Sequence, residues 1–332
     1  MAIDRIAVDR RLVEELHAQG YLSAHGREAA LEWLNLPTQW EFWIARSLLV
    51  LGSALLVSGV LYFAAYNWNP VAPALKFAVV QVGLVVAVVA AIRDGLTSPR
   101  GQVLIVFASV LVGVFLAVFG QVFQTGADAY RLFAVWSALI LGFSVMSNFA
   151  PQWTLWLAVT NTAAVLWWWQ ALQPSVEIRY LIFGYLALLN GTALGLREWA
   201  ALRGQHWIGA RWTRWLLVLG TLGVLLNPAL RMIMETDDVP ASLLLTGIFG
   251  LLGHVALFTV YRHALRDTGV VAATILSGCL ILEAAMYRAV VEVFGDFGAA
   301  ARLSLGVATV VIFSAAMVYL RSVIEHERLP RA

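Results

Sequence analysis

Six side chains have the type and spacing to do chemistry: Gln121, Gln124, Asp128 and Arg131 within eleven residues, then Glu283 and Lys76. The first four stand at i, i+3, i+7 and i+10, so an unbroken helix would carry them on one face. Two amides, a carboxylate and a guanidinium so arranged could hold a polar solute. Glu283 follows fifteen uncharged residues. An ionisable group that deep in an apolar run points to binding of a proton, a cation or a cationic group. Lys76, the lone lysine of the chain, stands about one turn before Gln81. A plainer account stays open beside this one. Gly126 would end one helix and Asp128 would cap the next. Lys76, Arg231 and Arg288 would snorkel to an interface, the pairs Arg231–Glu235 and Arg288–Glu292 would meet at i, i+4, and Glu283 would find a neighbouring arginine.

The elements that must position these groups follow from composition. The chain is 61% hydrophobic and 13% charged, with mean hydropathy +0.79. Soluble domains carry about 25% charged residues, so most of this chain must face lipid or protein. A net charge of +2 supplies no field for nucleic acid. One cysteine, Cys279, leaves no internal disulfide and no multi-cysteine metal site. The polar first forty residues do not read as a cleavable signal.

The expected fold is all-α, a polytopic membrane bundle, because lipid satisfies no backbone group and strand-like alternation is absent. Apolar runs of about 20 residues place ten spans at 43–66, 72–92, 102–120, 131–149, 152–172, 179–196, 214–234, 240–261, 268–289 and 302–321. With both termini cytoplasmic, 16 of the 22 Lys and Arg residues fall on the inner side, as the positive-inside rule requires. Tryptophans mark the span ends: Trp40 and Trp43, Trp68, Trp153 and Trp156, Trp167 to Trp169, Trp212 and Trp215. Like segments recur at offsets of 168, 167 and 171 residues: RSLLVLG with RWLLVLG, Pro73-Ala74 with Pro240-Ala241, and AYRL with AARL. They point to a parallel repeat, 43–149 with 214–321, bridged by 152–196, between a front end at 1–40 and a tail at 323–332.

Residues 8–35 read as a helical hairpin. Asp9 and Ser23 serve as caps, Gly20 ends the first helix, and Leu12, Val13, Leu16, Ala30, Leu31 and Leu34 face inward. Too small to stand alone, it would dock on the membrane domain, on a second copy or on another protein. Asn161, Asn190 and His254 read as interhelical hydrogen-bonding groups. Small residues around Gly52, Gly59, Gly184 and Gly191 read as close-packing points.

Three stretches carry a family resemblance: Leu-x-x-x-Gly-Tyr-Leu-Ser from Leu16, RSLLVLGSALLVSGVLYFAAYNW, and above all GQVFQTGADAYRLFAVW. They resemble the bacterial predicted membrane proteins grouped as domain-of-unknown-function family 2157, over about residues 8–150. The resemblance implies a bacterial inner-membrane protein and carries no reaction, ligand or active residue.

No phosphate-binding loop, metal-spaced histidines or nucleophile with a base is present, so neither an enzyme nor a cofactor is expected. The expected function is a carrier or channel for a small solute or lipid, with an outward-facing polar site. The alternative is a non-transporting assembly or sensing protein that works through its hairpin.

Overall fold

The computed structural model describes residues 10–34, 44–45, 47–48, 51–52, 55, 59, 62, 70–124, 126, 128–235, 238–294 and 298–328. The chain divides into two compact units, residues 1–72 and 73–332. Eleven helices and no strand occur among the described residues. Most of the expected first span, the opening helix of the expected repeat and the Asp9 cap lie outside them.

In the first unit, α1 (Arg10–Ala18) and α2 (Ala24–Leu34) form the expected hairpin. Its turn is a Schellman motif: Gly20 takes φ +78°, its amide donates to the carbonyl of His17, and the Tyr21 amide donates to that of Leu16. Ser23 caps α2 by accepting from the Gly26 amide at 3.0 Å. Val13 is buried, and Arg27 on α2 clasps Glu14 on α1 with two hydrogen bonds of 2.7 and 2.8 Å.

The second unit holds α3 (Pro73–Asp94), α4 (Pro99–Phe123), α5 (Ala129–Ser147), α6 (Ala150–Trp167) and α7 (Leu181–Leu202). It continues with α8 (Arg211–Met234), α9 (Ala241–Thr259), α10 (Thr268–Phe294) and α11 (Ala299–Arg328). Seven of these are long and apolar enough to cross a membrane: α3, α4, α5, α8, α9 with its extension to Ala264, α10 and α11. The other two, α6 and α7, match expected spans but are diluted by Asn161 and Thr162 in one and Asn190, Arg197 and Glu198 in the other. These helices turn polar groups toward each other: the Asn190 Nδ2 donates to the Asn161 Oδ1 at 2.7 Å.

Two apolar clusters organise the packing. Val112, Ile140 and Val159 join α4, α5 and α6, with Leu84 of α3 against them. Leu194, Val218, Leu222, Tyr261, Val270 and Val271 join α7, α8, α9's extension and α10. In lipid, apolar side chains gain little by leaving one helix surface for another, so close approach and interhelical hydrogen bonds decide association. One close approach is between α8 and α9. A Cβ at Gly250 would lie 2.5 Å from the Leu225 carbonyl oxygen, and Gly247 and Gly253 meet Met232 and Leu225 on the same face. This stripe and Gly113 of α4 against Trp136 of α5 are close-packing points; Gly184 makes ordinary contact with Thr246 of α9 at 3.6 Å, and Gly191 faces open space. Hydrogen bonds cross elsewhere, between Ser277 Oγ and His254 Nε2 at 2.7 Å and among Ser109, Ser144 and the fully buried Gln152.

Two helices end in π-turns, Trp168–Leu172 after α6 and Val260–Ala264 after α9. Each puts one extra residue into a turn and re-aims the side chains it carries.

Candidate functional site

Most of the charge buried in the second unit gathers where α7 and α9 end and α8 and α10 begin. Arg197 is only 2% exposed. All of its guanidinium nitrogens are engaged: Nε donates to Thr213 Oγ1 at 3.2 Å, Nη1 to Glu198 Oε2 at 2.9 Å, and Nη2 to the carbonyls of Gly209 and Ala210, each at 3.0 Å. Arg214, on the first turn of α8, straddles Glu198 with two bonds of 2.8 Å and reaches Asp267 Oδ2 at 2.6 Å. The π-turn after α9 delivers Tyr261, whose hydroxyl donates to Glu198 Oε1 at 2.9 Å. Two guanidinium groups thus meet two carboxylates, and the cluster is neutral as a whole. That balance lets charge persist in a buried place, where a lone ion would cost several kcal/mol.

Asp267 also caps α10, its Oδ1 accepting from the amides of Gly269 and Val270 at 3.1 and 3.2 Å. Burial pushes its carboxyl upward, but the bonds from Arg214 and from those two amides outweigh burial and hold it below the ordinary aspartate value.

Beside this cluster lies a cavity of about 280 Å³ between α6, α7, the α7–α8 connection and α8. Trp153, Trp156, Trp199 and Trp207 form much of its wall, with Leu157, Leu196, Ile208 and Leu217. Arg197 and Thr213 also touch it, but their hydrogen bonds are spent inside the protein. The Trp156 Nε1 is different, a buried donor with no hydrogen-bond partner among the described residues.

The six residues singled out by type and spacing lie apart from this place. No side-chain hydrogen bond or ion pair among the described residues joins any two of them. Gln121 is exposed on the last turn of α4, and Gln124 ends that helix in the left-handed region at φ 43°. The helix does not continue, so the face that would have aligned the four polar groups is broken before Asp128. Asp128 occupies the cap position of α5 but makes no capping side-chain bond. That end is satisfied instead by Gln170, delivered by the π-turn after α6, whose Oε1 accepts from the Tyr130 amide at 3.0 Å. Arg131 is exposed and leans on Tyr130, bonding its hydroxyl at 3.2 Å. Lys76 is buried on the first turn of α3. Glu283 lies at the α10–α11 contact, where its Oε1 pairs with the Thr309 hydroxyl rather than with an arginine.

Arg288 does not take Glu292 as a partner. Its Nη1 donates to the carbonyls of Ile233 and Glu235 at 2.7 and 2.9 Å and so closes the C-terminal end of α8. Arg231 likewise bonds Asn227 Oδ1, at 3.2 Å, in place of Glu235. Arginines near span ends spend their donors on helix ends and amides here, which spacing alone does not distinguish from pairing.

Residues 14–153 match the family described as "Predicted membrane protein (DUF2157)", the family that the hairpin and GQVFQTGADAYRLFAVW resemble. The chain is a multi-pass membrane protein. No curated protein and no solved structure matches it significantly. The matched stretch stops at Trp153, on the first turn of α6. Arg197, Glu198, most of the cavity wall and Glu283 therefore lie beyond it.

Proposed function

We propose that the second unit carries a small, largely apolar solute, lipids and lipid-like molecules included, and seats it in the tryptophan-walled cavity between α6, α7 and α8. One observation carries this reading. Trp156 lines the cavity and keeps a buried indole N–H without a partner among the described residues. A buried donor left unmade costs about 1–3 kcal/mol, and a ligand bearing one acceptor, such as an ester carbonyl, would recover that cost. The apolar wall fits the rest of such a ligand, since binding sites for small molecules are mostly apolar with a few placed polar groups. The neutral charge cluster holds the ends of α7 and α8, and with them the far wall, in a fixed arrangement.

The test uses the full chain in vesicles with a fluorescent phospholipid analogue. Nitroxide-labelled acyl chains should quench the tryptophans of the wild type. Trp156→Phe keeps the wall and removes the donor, and is expected to weaken binding by about fivefold, about 1 kcal/mol. Ala193→Trp fills the cavity and should abolish both binding and movement of the analogue between leaflets. If the Ala193→Trp protein folds and moves the analogue at the wild-type rate, the cavity is not the seat and the reading fails.

A further inference from the structure

Glu283 sits deep in α10, about 22 Å along the helix from its start at 1.5 Å per residue, and makes its described side-chain contact with Thr309 of α11. Proton counting at that contact decides its state. The Thr309 hydroxyl lies within hydrogen-bonding reach of two acceptors, Glu283 Oε1 and the Leu305 carbonyl, the latter at 2.9 Å. A hydroxyl has one proton. If it goes to Leu305, the usual bond of a helical threonine to the carbonyl four residues back, the contact with Glu283 needs a proton from the carboxyl. If it goes to Glu283, an ionised carboxylate is left with one hydrogen bond, because the Oε2 is buried with no partner among the described residues. That second arrangement strands a charge in a medium that solvates none.

Among the described residues, neighbouring cations do not relieve it. On α10 itself Arg288 is committed to the end of α8, Cys279 is buried and uncharged, and Tyr287 and Glu292 bring no positive charge. On α11 the charged residues nearest Thr309 are Arg302 and Arg321, about 10 and 18 Å away along the axis. On α8, Arg231 bonds Asn227 and Arg214 belongs to the cluster at the far end. On α9 and its extension, His254 is held by Gly250 and Ser277, and Tyr261 by Glu198, while Arg262 and His263 sit at that same far end.

We infer that Glu283 is a proton-binding site inside the membrane, a neutral carboxylic acid that donates to the Thr309 oxygen across the α10–α11 contact. Its ligand is a single proton taken from water, which cancels the one negative charge. The inference is independent of the carrier reading, since neither residue lines the tryptophan-walled cavity.

Infrared difference spectra of the full chain in lipid at pH 7 test it, wild type against Glu283→Gln and wild type against Thr309→Val. In the first pair, loss of one carbonyl band of a protonated acid supports the site; loss of carboxylate bands overturns it. In the second pair, the carboxyl remains and its hydrogen-bond partner is removed. A carbonyl band that persists and shifts supports the site, and a change confined to carboxylate bands overturns it. Dicyclohexylcarbodiimide, an apolar reagent selective for protonated carboxyls, should modify Glu283 in the wild type at pH 7 and progressively less as pH rises. Modification that does not fall with rising pH counts against a titrating proton.

Discussion

At Asp267, one carboxylate serves two masters, a helix end and a guanidinium. Both act only on the ionised form, so they lower its affinity for a proton in the folded state. The sign follows. A carboxyl whose folded value lies below its unfolded one contributes stability that is fully present above the unfolded value, near 3.8, and is lost as pH falls through the folded value beneath it. Thermal unfolding in detergent between pH 6 and 2.5 should therefore show a loss of stability below about pH 4 that is smaller in Asp267→Asn. That variant keeps the cap and gives up the charge; an identical acid transition in both proteins would refute the assignment. Single residues were unevenly legible in sequence. Glu283 announced itself by depth, whereas its partner Thr309 is one of many threonines in apolar runs. Arg197 and Arg214 read as part of a positive-inside bias, and Arg214 also as the start of a repeated segment, because a charge at a span end looks the same whether it snorkels into water or locks inward on a carboxylate.

Among helices, the face of α9 formed by Gly247, Gly250 and Gly253 lets α8 approach until backbone nearly meets side-chain space. Gly250→Leu should drive the two helices apart and cost about 1–3 kcal/mol, the range for overpacking a tight contact. Gly191→Ala, where a Cβ meets nothing within 4 Å, should be neutral or better. Chemical or thermal denaturation of the two variants separates these outcomes, and equal losses would show that the stripe is not the contact that matters. Helix existence and type were plain from apolar runs: nine expected spans correspond to nine helices of the second unit. Polar dilution in α6 and α7 was visible too, and its role as interhelical hydrogen bonding with it; that Asn161 and Asn190 are each other's partners emerges only once both helices are placed. The break between 102–120 and 131–149 was legible too, but its position was not: the left-handed turn falls at Gln124, ahead of Gly126, and it removes the alignment that an unbroken helix would have given Gln121 to Arg131.

For the molecule as a whole, the ends of α7 and α9 and the beginnings of α8 and α10 meet in one charge cluster, while the C-terminal ends of α8 and α10 meet through Arg288. Antiparallel neighbours produce that alternation. With the excess of arginine on the cluster's side, we expect Arg197 and Arg214 to face the cytoplasm. The single Cys279 is buried, so introduced cysteines can report sidedness with little background. In spheroplasts, a membrane-impermeant maleimide should modify Asp128→Cys and leave Arg203→Cys unmodified until the cells are broken; the reverse pattern would invert the topology.

The two π-turns bear on how such a chain can change over time. Each adds one residue to the last turn of its helix, and each carries the side chain that ties its neighbourhood together: Gln170 in one, Tyr261 in the other. Removing a residue from either turn would rewind that last turn to ordinary pitch and swing the side chains it carries by about 100°. Tyr261 would leave Glu198, and Gln170 would leave the start of α5. Length in these two segments is thus under tighter constraint than residue identity, and a deletion there should be tolerated far less than most substitutions.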